Sequence, residues 1–233
     1  HNEKGQPERE APVFLQESNS MMLSKTILLQ SEMMLEYNLA NAILQLQKEQ
    51  PDFVAYLLGN GEAVPPQILS LINNIGQAHF AMDTLNLQNT VAIPLKYKSI
   101  IVNRPTQAFS EIDLFKIDQY LMNGGRILFA IDAAQASIDS FQHAETFMAN
   151  PLETNINDIL FPYGARVNND LVLDGSNNAG IPVSAQSELY PWPYFPILEG
   201  NNNFPATKNL NGVLARFTSS INLNQNNNNT IKK

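Results

Sequence analysis

The stretch Ser99 to Asp132, SIIVNRPTQAFSEIDLFKIDQYLMNGGRILFAID, constrains the fold more than any other part of the chain. Residues 99–102 are apolar and β-branched, which suits a strand covered on both faces, and Pro105 closes it. Ser110 is placed to cap a helix, with Asp113 at the capping-box position near the positive end of the dipole. Leu114, Ile117 and Leu121 fall at i, i+3 and i+7, one apolar stripe. Gly124 and Gly125 supply the left-handed exit that a helix C-terminus favours. Ile127 to Ile131 is then an unbroken apolar run. Strand, helix and strand in this order make a crossover unit, so the two strands are expected to be parallel.

The rest of the chain extends that unit. Phe53–Leu58 reads as a first central strand, followed by the turn Gly59, Asn60, Gly61, Glu62. Pro65 and Pro66 suit a helix start, Ile68, Leu69, Ile72 and Ile75 give its stripe, and Gly76 ends it. His79–Leu85 makes a second strand, which places His79 inside it. Residues 154–163 read as a further short helix and Arg166–Asp174 as a fifth strand. Strands alternating with helices at this spacing predict an α/β fold with a doubly wound, mostly parallel, flavodoxin-like sheet.

Before this core, residues 1–20 are polar and read as a linker or loosely docked arm, and Met21–Gln30 as a short edge strand. A helix is expected over 31–50, capped by Ser31, with Leu35, Leu39, Ala42, Ile43 and Leu46 on its inner face and Pro51 at its end. Met33 and Met34 read as gap-filling core. The expected division is an arm over 1–30, an α/β core over 31–175 and an irregular, Asn- and Pro-rich extension over 176–233.

Bulk properties remove several function classes. A formal net charge of −8 leaves no basic field to replace phosphate counterions, which argues against nucleic acid. The absence of cysteine excludes thiol catalysis, cysteine-ligated zinc and disulfides together. No run approaches the roughly 18–20 apolar residues that span a bilayer. The polar start and the Asn-rich end read as cut ends of a longer chain, with a membrane anchor outside it.

In a doubly wound sheet, ligands bind outside the carboxyl ends of the strands. The residues there are Gly59–Glu62, Asn103–Arg104 and Asp132. Gly59, Asn60, Gly61, Glu62, Asn103 and Asp132 are therefore the ligand-binding candidates. The glycine turn lacks the third glycine of a dinucleotide fingerprint and any following Gly-Lys-Ser/Thr, so it is no phosphate loop. Glu62 approaches Asp132 if the first and fourth strands both flank the third; otherwise Asp132 only caps its turn. No Gly-x-Ser-x-Gly elbow and no paired histidine ligands are present, and nothing calls for a metal or another cofactor. Between its prolines, the segment 190–196 carries Tyr190, Trp192, Tyr194 and Phe195. It is either a stiff aromatic platform for a partner or a cover for a sheet edge.

Four segments resemble the gliding-motility-associated ABC transporter auxiliary proteins of Bacteroidetes-type bacteria, the GldG family. They are LEYNLANAI at 35–43, GNGE at 59–62, the block 109–132, and DILFPYGARVNNDLVLD at 158–174 followed by PWPYFP at 191–196. The resemblance implies an extracytoplasmic, nominally substrate-binding domain on the periplasmic side of the inner membrane. It would act beside an ATPase and a permease subunit, through membrane anchors outside this sequence. It also implies a flavodoxin-like or glutamine-amidotransferase-like sandwich, without the amidotransferase nucleophile because cysteine is absent. The expectation is a non-enzymatic accessory domain. The alternatives are a binder of a small sugar or peptide at the strand ends and a hydrolase using Glu62 and Asp132.

Overall fold

In a computed structural model of the chain, residues 13, 24–47, 50–137, 148–182, 189–201, 203, 207 and 212–223 are described. Four parallel strands form the centre: β1 (Asp52–Leu58), β2 (Phe80–Asn86), β3 (Tyr97–Asn103) and β4 (Ile127–Ala130), in the order β2-β1-β3-β4. Ile100, Ile101, Val102 and Asn103 of β3 lie opposite Ile127, Leu128, Phe129 and Ala130 of β4. The crossover unit read from the sequence is therefore present, with α3 (Glu111–Met122) between its strands.

Helices cover both faces of this sheet. On one face Ala55, Leu57, Ile100 and Val102 pack with Phe109, Ile117 and Tyr120 of the α3 region and with Ile156 and Ile159 of α4 (Ile156–Leu160). On the other, Val54, Tyr56 and Ile101 pack against Ile68, Leu71, Ile72 and Ile75. These last residues belong to a single 3-10 turn (Pro65–Ile68) and to α2 (Leu69–Gln77). The result is a flavodoxin-like three-layer α/β sandwich. Ser110 caps α3 by accepting the Asp113 N–H at 3.2 Å, and its hydroxyl donates to the Asp113 carboxylate at 2.7 Å. The other Asp113 oxygen pairs with Lys116, so the carboxylate serves the hydroxyl and a cation in place of the Ser110 N–H.

Three sequence expectations are corrected. The stretch Met21–Gln30 is not an edge strand, since its described residues belong to α1 (Ser24–Gln47). No glycine or proline separates 24–30 from the helix that follows, and Leu, Met, Gln and Glu sustain helix. Ser31 is thus a buried mid-helix residue and not a cap. The inner face of α1 is also different. Ser31 and Ala42 are buried, and the side-chain amides of Asn41 and Gln45 donate to the Gln77 carbonyl. Met33, Met34, Leu35, Leu39, Ile43 and Leu46 are exposed, so the methionines do not fill core.

The third correction concerns 166–174. Strand structure there is limited to β7 (Ala165–Val167), which lies outside the central sheet and pairs antiparallel with β11 (Ile221–Leu223). The following Asn and Asp side chains take their own hydrogen bonds, Asn168 to Ser220 and Asp170 to the Ser220 N–H, and this competes with a longer ladder. Between β4 and β7 lies a two-residue pairing of β5 (Ala134–Gln135) with β6 (Asn150–Pro151). A second small sheet has the order β10-β9-β8, with β8 (Asn178–Pro182), β9 (Leu189–Leu198) and β10 (Val213–Leu214).

Candidate functional site

The strand order puts β2 on one side of β1 and β3 on the other, so the loops leaving β1 and β3 diverge around a crevice at their carboxyl ends. The turn after β1 forms one wall. Gly59 has φ +126° and Gly61 φ +78°, values that side chains other than glycine's rarely adopt. A Cβ on Gly61 would lie 2.0 Å from the Thr106 hydroxyl, so only glycine admits the loop that follows β3. Asn60 ties the two loops together. Its carbonyl accepts the N–H groups of Thr106 and Gln107, both at 2.9 Å, and its side chain donates to the Ala108 carbonyl.

Glu62 lies beneath this turn, only 6% exposed. Its Oε2 accepts the Asn60 N–H at 2.7 Å, while Oε1 is buried with no hydrogen-bond partner among the described residues. Burial raises the Glu62 carboxyl above its ordinary range, against backbone N–H groups of the turn that pull it down. Behind it, the Tyr56 hydroxyl donates to the Ala63 carbonyl at 2.8 Å and accepts from the Asn103 amide at 3.1 Å. Burial also raises the Tyr56 phenol, despite the Asn103 hydrogen bond.

The raised Glu62 carboxyl fixes a sign. The native state holds this proton at pH values where the unfolded chain has released it, so the group's contribution is most favourable at low pH and is lost as pH rises through its folded value. Glu62→Gln keeps an acceptor for Asn60 and removes the charge. Calorimetric midpoints from pH 5 to 8 should therefore decline less with rising pH in the variant than in the parent chain. Parallel curves would contradict the burial of an ionisable group there.

Arg104 and Asp132 form the other wall. Arg104 takes φ +51° immediately before Pro105, although a residue before proline is normally driven to extended backbone. Its N–H donates to the Ala130 carbonyl at 2.7 Å, which holds the turn against the end of β4. Its Nε donates to Asp132 Oδ2 at 2.7 Å. The pair is half in solvent and worth about 0–1 kcal/mol as an ion pair, so its consequence is orientation. The terminal nitrogens of the guanidinium have no partner among the described residues.

These walls enclose a cleft of about 240 Å³, with Gln67, Thr106 and Gln135 as further polar lining and Ala63, Pro105, Ala134, Ala136 and Leu152 as apolar lining. Of the sequence candidates, Gly61, Glu62 and Asp132 meet at this cleft. Gly59 lies against the Asn86 side chain, and Asn60 and Asn103 act behind the wall. Arg104 is placed at the strand ends by the sequence, although not among the ligand-binding candidates, and Gln67, Thr106 and Gln135 are not singled out by it at all. Nothing in the sequence reports the left-handed turn that sets Arg104, and the other three are ordinary surface residue types.

His79 is a turn residue with φ +60° ahead of β2, not a strand residue, and His143 lies outside the described residues. Among the described residues no group of three His, Asp or Glu side chains gathers as a metal site. The aromatic segment is β9 itself. Phe195 is 3% exposed and meets the Phe217 ring edge-on at 5.2 Å, which removes it from partner contact. Trp192 and Tyr194 are half-buried with ring centroids 5.9 Å apart, and Tyr190 is 63% exposed.

Residues 52–233 match the model of a family described as an ABC-type uncharacterized transport system, the ABC transporter auxiliary family. The chain belongs to this family. The match covers the whole sandwich, the cleft and the small sheets, and begins after α1. No curated protein matches the sequence. A solved structure of the mmIFT52 N-terminal domain superposes with a TM-score of 0.51 at 18% identity, covering 75% of this chain and 69% of that one. At that identity the similarity concerns the fold. As a family member, the chain is an auxiliary component of an ABC-type transport system. No described helix is long and apolar enough to cross a membrane.

Proposed function

We propose that this chain is a non-catalytic accessory domain that docks beside the ATPase and permease subunits of an ABC transport system used in surface gliding. Its place is the periplasmic side of the inner membrane, and its switch-point cleft receives a ligand. The observation that carries the non-catalytic reading is the placement of the two cleft carboxylates, since the Glu62 oxygen without a partner among the described residues is sealed from solvent and Asp132 is paired with Arg104. Asp132 is occupied by Arg104, and the Glu62 Oε2 by the Asn60 N–H. A hydrolase would need one carboxylate free to reach a reacting atom as base and another as acid.

The docking role is supported by α1. Leu28, Leu29, Met33, Tyr37, Ile43 and Leu44 are each more than half exposed, an apolar helix surface of the kind that marks an interface. Tyr190 adds an exposed aromatic on β9. Co-expression of the full-length protein with the ATPase and permease subunits tests this. The three should co-purify, and Ile43→Asn or Tyr190→Ala should lower recovery of the complex without moving the thermal midpoint, since both side chains face solvent. Undiminished recovery with both changes would overturn the assigned docking surfaces, and absence of any complex would overturn the role.

A further inference from the structure

We infer that the outward face of α1 receives a partner helix that carries lysine or arginine beside an apolar stripe. The inference rests on the reading of α1 as a docking surface and adds the chemistry of what docks there.

α1 is amphipathic in the opposite sense to a helix held by its own domain. Ser31, Asn38, Ala42 and Gln45 follow at i, i+7, i+11 and i+14 and form its inward line, with Ser31 and Ala42 buried. The side-chain amides of Asn41 and Gln45 donate to the Gln77 carbonyl on that side. The outward side is apolar. Leu28, Leu39 and Leu46 lie along one edge of it and Leu29, Met33 and Leu44 along the other, each at least 42% exposed. Helices in proteins draw most of their stability from packing an apolar face, and in α1 that face is bare. α1 also lies ahead of the matched residues 52–233, so this face is an addition to the matched sandwich.

Charge selects the occupant. Glu32 and Glu36 are exposed and share one line with Leu39 and Ile43, at i, i+4, i+7 and i+11. The two carboxylates therefore stand one turn apart, about 6 Å along the axis, in the middle of the apolar face. Lys25, in the first turn, is the one basic residue of α1. A second copy is a poor occupant. A parallel pair sets each glutamate against its own copy, and an antiparallel pair centred on the midpoint of 24–47 sets Glu36 beside Glu36. The formal net charge of −8 adds to that repulsion. A lipid surface fits no better, because helices that lie on one carry lysine and arginine, not glutamate, around the apolar face. A helix with two basic residues one turn apart meets both demands. Its apolar stripe covers the leucines, and its cations pair with Glu32 and Glu36 at a partly desolvated contact.

The test uses the full-length protein co-expressed with the ATPase and permease subunits. Glu32→Lys with Glu36→Lys should lower recovery of the complex about tenfold, and Glu32→Gln with Glu36→Gln should lower it less. Both pairs should leave the melt of the chain unchanged, because the side chains face solvent. Raising salt from about 0.1 M to about 1 M shortens screening from about 10 Å to about 3 Å and should weaken the parent complex more than that of the Gln variant. If the Lys variant melts early, the near-isosteric Gln variant and the salt series decide alone. Equal recovery of all three proteins would overturn the assignment. So would a concentration-dependent dimer of the chain alone that Ile43→Asn abolishes, or binding to phosphatidylcholine–phosphatidylglycerol vesicles that Ile43→Asn abolishes. A complex weakened by Ile43→Asn but indifferent to both glutamate variants would remove the partner chemistry and leave the docking role standing. Absence of any complex would remove both.

Discussion

Replacing Ile100 by alanine should remove about 2–5 kcal/mol of stability, the range for deleting a large aliphatic side chain from a packed core. Ile100 is 0% exposed at the middle of β3, with β1 on one side and β4 on the other. It packs on the face where α3 and α4 close over the sheet, with Ile117 at 1% and Ile156 at 3% exposure. A cavity there cannot be filled by a shift of one helix without opening the other. Since a domain of this kind holds about 5–15 kcal/mol in total, the loss is a large share of the whole. Leu128→Ala, one strand away but 58% exposed, should stay within about 0.5 kcal/mol. Urea unfolding of the two variants checks the pair. Equal losses would mean that the sheet is not covered on this face.

The second large effect belongs to the cleft. Gly61→Val should cost several times the approximately 1–2 kcal/mol of placing a side chain in left-handed backbone. At φ +78° a β-branched residue is strongly disfavoured, and its Cβ would lie 2.0 Å from the Thr106 hydroxyl. The two contributions separate experimentally. Thr106→Ala removes the collision, together with the hydrogen bond to the Gly61 carbonyl at 3.2 Å, and leaves the backbone cost in place. Gly61→Val should therefore be milder in the Thr106→Ala background, with a residual cost of about 1–2 kcal/mol from φ. Strict additivity of the two changes would contradict the close approach of the loops.

Much of the sandwich was legible because its physical causes are local. Buried strands are runs such as SIIV and FVAYLL, and the helices that cover them carry regular stripes and a Ser110 cap. The order β2-β1-β3-β4 sets the first and fourth strands on either side of the third. This is the arrangement under which Glu62 and Asp132 meet, and both line the cleft. The remainder depends on tertiary context. Composition sets α1 as helical, but the packing of Ser31 and Ala42 decides which side faces inward, and it turns Met33 and Ile43 out. The proline-rich β9 hides its ladder. Pro191, Pro193 and Pro196 donate no N–H, so pairing with β8 shifts register, while the carbonyls of Pro193 and Pro196 accept from Asp174 and Ala215. Arg104 was legible as a strand-end residue, but not as one held in left-handed backbone before a proline.

In the proposed mode of action, this auxiliary transport domain works through a receiving cleft and not through chemistry of its own. ATP hydrolysis by the reconstituted ATPase and permease subunits, measured in vesicles with and without the full-length protein, tests it most directly. The protein should change that rate, and Arg104→Met, which removes an exposed guanidinium from the cleft wall, should lose the effect while still co-purifying with the complex. A rate indifferent to the protein, or one altered equally by the Arg104→Met variant, would contradict a receiving role for the cleft.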